Sequence, residues 1–190
     1  MLEQELIKKL QVGDHSAFKE MFQSYNAMVF NVCFRMLDNQ QEAEDVTQDV
    51  FFKAYKSIRQ FRCESKLSTW LYRIAINISL NYKRRKKIER FFSLDFIFEN
   101  PGKDEYNFVT PSGEGPDAIL NKNETERIVQ NVINSLPKHQ RVALTLQLYE
   151  DLSYEEIAEV MNCSVASVES RLHRAKQNLY NKLSPLIKDL

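Results

Sequence analysis

Apolar residues recur every three or four positions along most of the chain, and the strict alternation typical of a strand is nearly absent. This spacing predicts three helices in the first half of the chain: one that begins at Asp14 or Ser16 and ends at Asp38, one from about Glu42 to Ser57, and one from about Ser68 to Ile88. Trp70 falls on the apolar face of the third helix, which indicates a core residue. The polar segment Gln60–Lys66 predicts a loop before that helix.

The second half continues the helical pattern after an interruption. Helices are predicted at about Asp117–Ser135 and Pro137–Tyr149, with Pro137 in the first turn, where proline is favoured. Ser153 and Glu156 form a capping box that starts the next helix. After three residues, Ser164 can cap a last helix.

These last two helices have the spacing of a helix-turn-helix, in which the second helix enters a DNA major groove. Small, hydroxylated and arginine side chains would point outward from the turn and second helix: Ser164, Ala166, Ser167, Ser170, Arg171 and Arg174. An ordinary helical hairpin is the alternative. Charge favours DNA binding, because the first helix is acidic and the second is basic.

Glycine and proline divide the chain. Three of the four glycines and three of the five prolines lie within residues 101–116. The flanking segment 92–117 holds six acidic residues and one basic residue, which predicts an acidic flexible linker. The expected fold is therefore all-α, with small helical domains at 1–91 and 118–190. Aromatic residues in the linker leave two alternatives open: they fold back on the first domain or dock on a partner.

Composition argues against several classes of site. Three scattered cysteines offer no disulfide framework or zinc site, so we expect a reducing cytoplasm. No signal-peptide core or membrane-length apolar run is seen. Asp45 and Asp49 share a helix face, but no nucleophile or metal set accompanies them. We expect no catalysis there, and the face is either solvated or a docking surface for a basic partner.

The third helix ends in five consecutive cations, Lys83–Lys87. Such a run can simply complement the helix dipole, but five adjacent cations repel one another and favour a polyanion as partner. Aromatic, amide and hydroxyl side chains lie upstream on the same helix and its loop. That combination is typical of single-stranded nucleic-acid binding.

Several of these motifs occur together in the order found in one family. Glu42–Phe51, then Phe61–Ala75 with Asn77, strongly resembles region two of bacterial extracytoplasmic-function (ECF) sigma factors. Leu136–Arg141 and Leu152–Lys176 contain motifs that look like region four of the same family. The resemblance covers nearly the whole chain except the linker.

The resemblance implies a specificity subunit of RNA polymerase with no catalytic residue, cofactor or metal of its own. The side chains expected to face the clamp helices of the largest polymerase subunit are Asp45, Gln48, Asp49 and Phe52. Those expected to capture an unpaired minus-ten base and hold its backbone are Phe61, Arg62, Glu64, Ser65, Lys66, Ser68, Arg73, Asn77, Asn81, Lys83, Arg84, Arg85, Lys86 and Lys87. The outward residues of the helix-turn-helix would read the minus-thirty-five element.

The implied partners are core RNA polymerase, promoter DNA and an anti-sigma factor that masks both domains. No membrane insertion is expected, although an anti-sigma factor could tether the chain to a membrane indirectly. The competing hypothesis is a free-standing helix-turn-helix repressor or activator with an N-terminal sensing domain. Such a protein would bind duplex operator DNA by itself, usually as a dimer.

Overall fold

The structure is a computed structural model that describes residues 3–99 and 127–188. Its helices are α1 (Glu3–Gln11), α2 (His15–Leu37), α3 (Gln40–Ser57), a one-turn 3₁₀ helix (Ile58–Gln60), α4 (Leu67–Glu99), α5 (described over 127–134), α6 (Lys138–Tyr149), α7 (Tyr154–Met161) and α8 (Val165–Lys188). The described residues contain no strand, which agrees with the all-α expectation.

Local capping sets the boundaries of the first helices. The Asp14 carboxylate accepts hydrogen bonds from the backbone of Ser16 at 2.7 Å and Ala17 at 3.2 Å, so Asp14 rather than Ser16 caps α2. Asp38 adopts φ 60° at the end of α2, and Asn39 caps α3 through the Glu42 amide at 2.9 Å. The break predicted at Asp38 is confirmed.

Helices α2, α3 and α4 form the first packed group. Their inner side chains are fully buried, including Met21, Met36, Val46 and Leu71. The other described helices place Ile133, Leu144, Ile157 and Leu172 in the core. Burial of these apolar stripes, at about 25 cal/mol per Å² of apolar surface, is the main force that holds the helices together.

Three features differ from the predicted pattern. Helix α1 was not predicted, although Leu6, Ile7 and Leu10 are buried at helical spacing. Helix α4 continues to Glu99, eleven residues past the predicted end at Ile88 and into the expected linker. Pro137 precedes α6 as its N-cap and does not occupy its first turn. The rest of the expected linker, residues 100–117, lies outside the described residues.

The N-terminal and C-terminal helix groups pack directly against each other. Helix α7 lies on α4 and α6 lies on α2, and buried residues from both groups form a continuous apolar cluster. The guanidinium of Arg35 lies 4.1 Å from the centre of the Tyr149 ring, and Gln130 donates to the Arg35 carbonyl at 3.3 Å. We call this packing the closed arrangement.

Candidate nucleic-acid and polymerase interfaces

The predicted helix-turn-helix is confirmed by the geometry of α7 and α8. Ser153 and Glu156 form the reciprocal capping box, with bonds of 3.2 Å and 3.1 Å. Asn162, at φ 49°, ends α7, and the Ser164 hydroxyl accepts from the Ser167 amide at the start of α8. Buried Val168 and Leu172 fix which side of α8 faces inward.

The outward face of α8 carries the predicted DNA-reading residues at different degrees of exposure. Ser164, Ala166 and Arg174 are exposed, whereas Ser167, Ser170 and Arg171 are half-buried. The Arg171 guanidinium lies 3.3 Å from the Cys163 sulfur and 3.8 Å from the Met161 sulfur, along the turn. Arg174 donates to Ser170 at 2.7 Å. Arg171 must leave the turn if it is to reach a base.

The loop before α4 exposes most of the residues predicted for the minus-ten strand. Arg62, Cys63, Glu64 and Lys66 are exposed, and Ser65 is half-buried. Phe61 differs, because it is only 8% exposed and its ring lies 5.0 Å from that of Trp70. The prediction of direct DNA contact by Phe61 therefore does not fit this conformation, in which its side chain anchors the loop. Trp70 packs against the core, as its spacing predicted.

The closed arrangement occupies part of the α4 face predicted to hold DNA. Lys66 forms an ion pair with Glu156 of α7 at 2.9 Å, and Arg73 donates to the Glu159 carbonyl at 2.9 Å. Further along, Lys83 donates to Asn134 at 3.3 Å. Asn77 and Asn81 stay exposed and Ser68 is half-buried. Oxygen atoms of the C-terminal helices therefore bind three cations that are predicted to contact nucleic acid.

Two ionisable side chains at this contact, Glu150 and Lys83, are half-buried. The Tyr72 hydroxyl, on a side chain only 6% exposed, donates to the Glu150 carboxylate at 2.8 Å. Burial raises the pKa of Glu150 despite that bond. Burial, with the nearby charge of Arg141, lowers the pKa of Lys83 to about 8. Separation of the helix groups would return both ionisable groups to water.

The basic end of α4 is only partly open to solvent. Arg84, Arg85 and Lys87 are exposed. Lys86 pairs with Glu42 of α3, and Lys83 is half-buried at the contact described above. Three of the five predicted phosphate-binding cations are therefore available without rearrangement.

A separate exposed strip lies along α3. Asp45, Gln48, Asp49 and Phe52 are all exposed and share one helix face, and Phe52 has 58% of its surface exposed. The Lys56 ammonium lies 3.9 Å from the centre of the Phe52 ring. A carboxylate row beside an exposed aromatic ring suits a basic protein partner with an apolar contact.

Other site classes find no support within the part of the chain that the structure describes. The described residues hold no group of three or more His, Cys, Asp or Glu side chains able to bind a metal ion. None of the helices described is both long and apolar enough to cross a membrane.

Two family models match the chain. The family described as Sigma-70 region 2 matches residues 21–88, and Sigma-70, region 4 matches residues 126–179. The first match contains the α3 strip, the loop and the basic end of α4. The second contains the helix-turn-helix.

A curated relative is similar in sequence over nearly the whole chain, and two solved structures are similar in fold. The ECF RNA polymerase sigma-E factor of Haemophilus influenzae is 38% identical, with 98% of each chain covered. In fold, the chain is similar to CnrH, solved in complex with the cytosolic domain of CnrY, with a TM-score of 0.68, 20% identity and coverage of 96% of this chain and 97% of that chain. It is also similar to the sigma factor RpoE of Bartonella quintana, solved with the anti-sigma factor NepR, with a TM-score of 0.61, 23% identity and coverage of 88% and 96%.

Proposed function

The chain belongs to the ECF sigma factors, which direct RNA polymerase to specific promoters, and on that premise we propose which parts of it perform each step. Sigma factors regulate transcription and are not enzymes. Residues 1–91 would bind core polymerase and the minus-ten element, residues 118–190 the minus-thirty-five element, and 92–117 would connect them. The bounds of the two family matches support this division.

Core polymerase binding is proposed for the α3 strip. The strip needs no rearrangement to meet a partner, because all four of its side chains are exposed in the closed arrangement: Asp45, Gln48, Asp49 and Phe52. Two carboxylates beside an aromatic anchor would give both steering and affinity.

Capture of the melted minus-ten strand is proposed for the exposed part of the loop and the outer face of α4. Arg62, Glu64 and Lys66 would meet an extruded base, and Arg84, Arg85 and Lys87 the backbone. Extruding a base costs a few kcal/mol, which stacking and edge hydrogen bonds in the loop would offset.

Reading of the minus-thirty-five element is proposed for α8. Its N-terminal face presents small and hydroxyl side chains that allow close approach to the groove, with Arg171 and Arg174 further along.

We also propose that capture of the minus-ten strand requires the closed arrangement to open. Helix α7 lies against the α4 cations, so nucleic acid and α7 compete for Lys66 and Arg73. An anti-sigma factor is a proposed partner, supported by the similar fold of the Bartonella protein solved with one.

The observation that carries the functional assignment is the 38% identity that spans 98% of both this chain and a sigma-E factor. The test is reconstitution with bacterial core polymerase. The chain alone should bind duplex promoter DNA poorly and gain specificity only with core enzyme, because two tethered modules cannot hold the promoter spacing without a scaffold. Tight, sequence-specific binding by the chain alone in a mobility-shift assay would instead favour a free-standing repressor.

A further inference from the structure

Helix α1 contacts both ends of the loop that precedes α4. Gln11, at the end of α1, donates from its side-chain amide to the Phe61 carbonyl at 2.9 Å. Glu3, at the start of α1, accepts a hydrogen bond from the backbone amide of Leu67, the first residue of α4. Each contact joins residues at least fifty positions apart, so neither arises from local chain geometry.

The helix that makes these contacts is itself fixed. Leu6, Ile7 and Leu10 bury one face of α1, and the helix packs on α2 and on the 3₁₀ helix that leads into the loop. Gly13, at φ +85°, makes the reversal between α1 and α2, in a backbone region that strongly favours glycine. The two ends of α1 are therefore held at a set separation.

The loop between these two anchors is largely exposed. Its ends, Phe61 and Leu67, are buried, whereas Arg62, Cys63 and Glu64 are exposed. Cys63 adopts φ 57°, a conformation unfavourable for a residue with a side chain and retained only where the surroundings impose it. The α1 hydrogen bonds at both ends act together with the packing of Phe61 on Trp70 to hold this shape.

We infer that α1 is a clamp that preorganises the base-capturing loop, with Glu3 and Gln11 as positioning residues for strand opening. This inference rests on the role proposed above for the loop. A loop already held in its binding shape loses little conformational freedom when a base enters, so more of the contact energy supports strand separation. Neither residue needs to touch DNA.

The test uses the full chain with core polymerase and compares two double variants of α1. The clamp variant is Glu3→Ala with Gln11→Ala. The matched control is Gln4→Ala with Glu5→Ala, which removes the same side-chain types from the exposed surface of the same helix, together with the exposed ion pair of Glu5 with Lys9 at 2.9 Å, and leaves both loop contacts in place. Open-complex formation is measured by permanganate reactivity of unpaired thymines on duplex promoter and on a template already mismatched across the minus-ten element.

We expect the clamp variant to form open complexes on duplex promoter about tenfold less well than the control, the size of effect expected when hydrogen bonds that hold a binding site are removed. The mismatched template should restore much of the difference. Core binding should match that of the control, and any fall in the thermal unfolding midpoint should leave activity on the mismatched template intact.

A second readout separates positioning from general destabilisation. Abasic sites are introduced singly along the minus-ten non-template strand, and the loss of open complex is measured for each protein. For the wild type and control, one abasic site should cost far more than its neighbours. In the clamp variant that excess should shrink, because the mobile loop gains less from the base.

Equal opening by the two double variants, or an unchanged abasic penalty in the clamp variant, would overturn the inference. So would a clamp variant that loses activity on duplex and mismatched templates alike together with a lower unfolding midpoint. A wild-type chain that directs no promoter-specific initiation would instead overturn the proposed function.

Discussion

The two surfaces proposed to bind DNA differ in whether their side chains are free or already engaged by the other helix group. On the α8 surface, three of the six predicted reading residues are exposed and none is engaged by the N-terminal helices, and local caps with a buried inner stripe fix the orientation of the helix. On α4 and the loop before it, oxygen atoms of the C-terminal helices engage Lys66, Arg73 and Lys83. Duplex recognition is therefore available in the closed arrangement, whereas single-strand capture must displace protein contacts. On this proposal, strand opening would be coupled to separation of the helix groups.

Replacement of the loop tests the single-strand side of this comparison and should have the largest effect. A Gly/Ser stretch in place of Arg62–Lys66 should abolish opening on duplex promoter, because nothing remains to offset base extrusion. Core binding and closed-complex formation should persist, and a mismatched template should restore part of the activity. Permanganate footprinting provides the measurement, and normal opening by this protein would show that the loop is misassigned.

Arg171→Ala tests the duplex side. If the guanidinium leaves the turn to contact a guanine, its removal costs about 1–3 kcal/mol and relaxes preference at one base pair. Transcription from a set of promoters mutated singly in the minus-thirty-five element measures this, with Arg174→Ala as the comparison. If the variant lowers transcription from all of these promoters by the same factor, Arg171 contacts only phosphate.

The cations at the basic end of α4 include both exposed side chains and side chains that already contact other residues. Simultaneous alanine replacement of the exposed Arg84, Arg85 and Lys87 should weaken binding to all promoters and reduce the salt slope by about 0.9 for each phosphate that is no longer neutralised. Lys86→Ala should change the slope less than the replacement of any one of these three, because Lys86 pairs with Glu42 of α3, a contact that opening of the closed arrangement leaves intact. Holoenzyme affinity as a function of salt measures both, and equal slopes would contradict the distinction.

Tyr72→Phe should favour opening of the closed arrangement. It removes the donor to Glu150, and hydrogen bonds to charged groups contribute about 1.5–3 kcal/mol. The isolated variant should bind minus-ten single-stranded DNA about tenfold more tightly, a factor that corresponds to about 1.4 kcal/mol. Tyr82→Phe on the same helix is the matched control. Unchanged affinity of the Tyr72 variant would mean that the closed arrangement does not compete with DNA.

The smallest expected effect is a pH dependence of closure. An exposed lysine has a pKa of about 10.4, whereas burial lowers that of Lys83 to about 8. Between these values the closed form has released a proton that the open form retains, so a rise from pH 7 to pH 9 should favour closure. Energy transfer between dyes on α2 and α8 measures it, and Lys83→Met should remove the response. A shift towards the open form would contradict the assignment.

Much of the candidate site was predictable because its determinants are local. Capping residues such as Asp14, Asn39 and Ser153 lie within three positions of the amides that they bind. The buried faces of α3 and α8 follow the spacing of Val46, Val50, Val168 and Leu172. These signals predicted the helix-turn-helix, the loop and the acidic edge of α3, whereas Phe52 was added by the family resemblance.

Other features depend on residues far apart in the chain. The tertiary structure alone shows that Phe61 is buried against Trp70, that α1 holds the loop through Glu3 and Gln11, and that Lys66 meets Glu156. Periodicity reports which side of a helix is apolar, but not which helix will cover it. Which cations remain free for DNA was therefore decided by packing between distant helices.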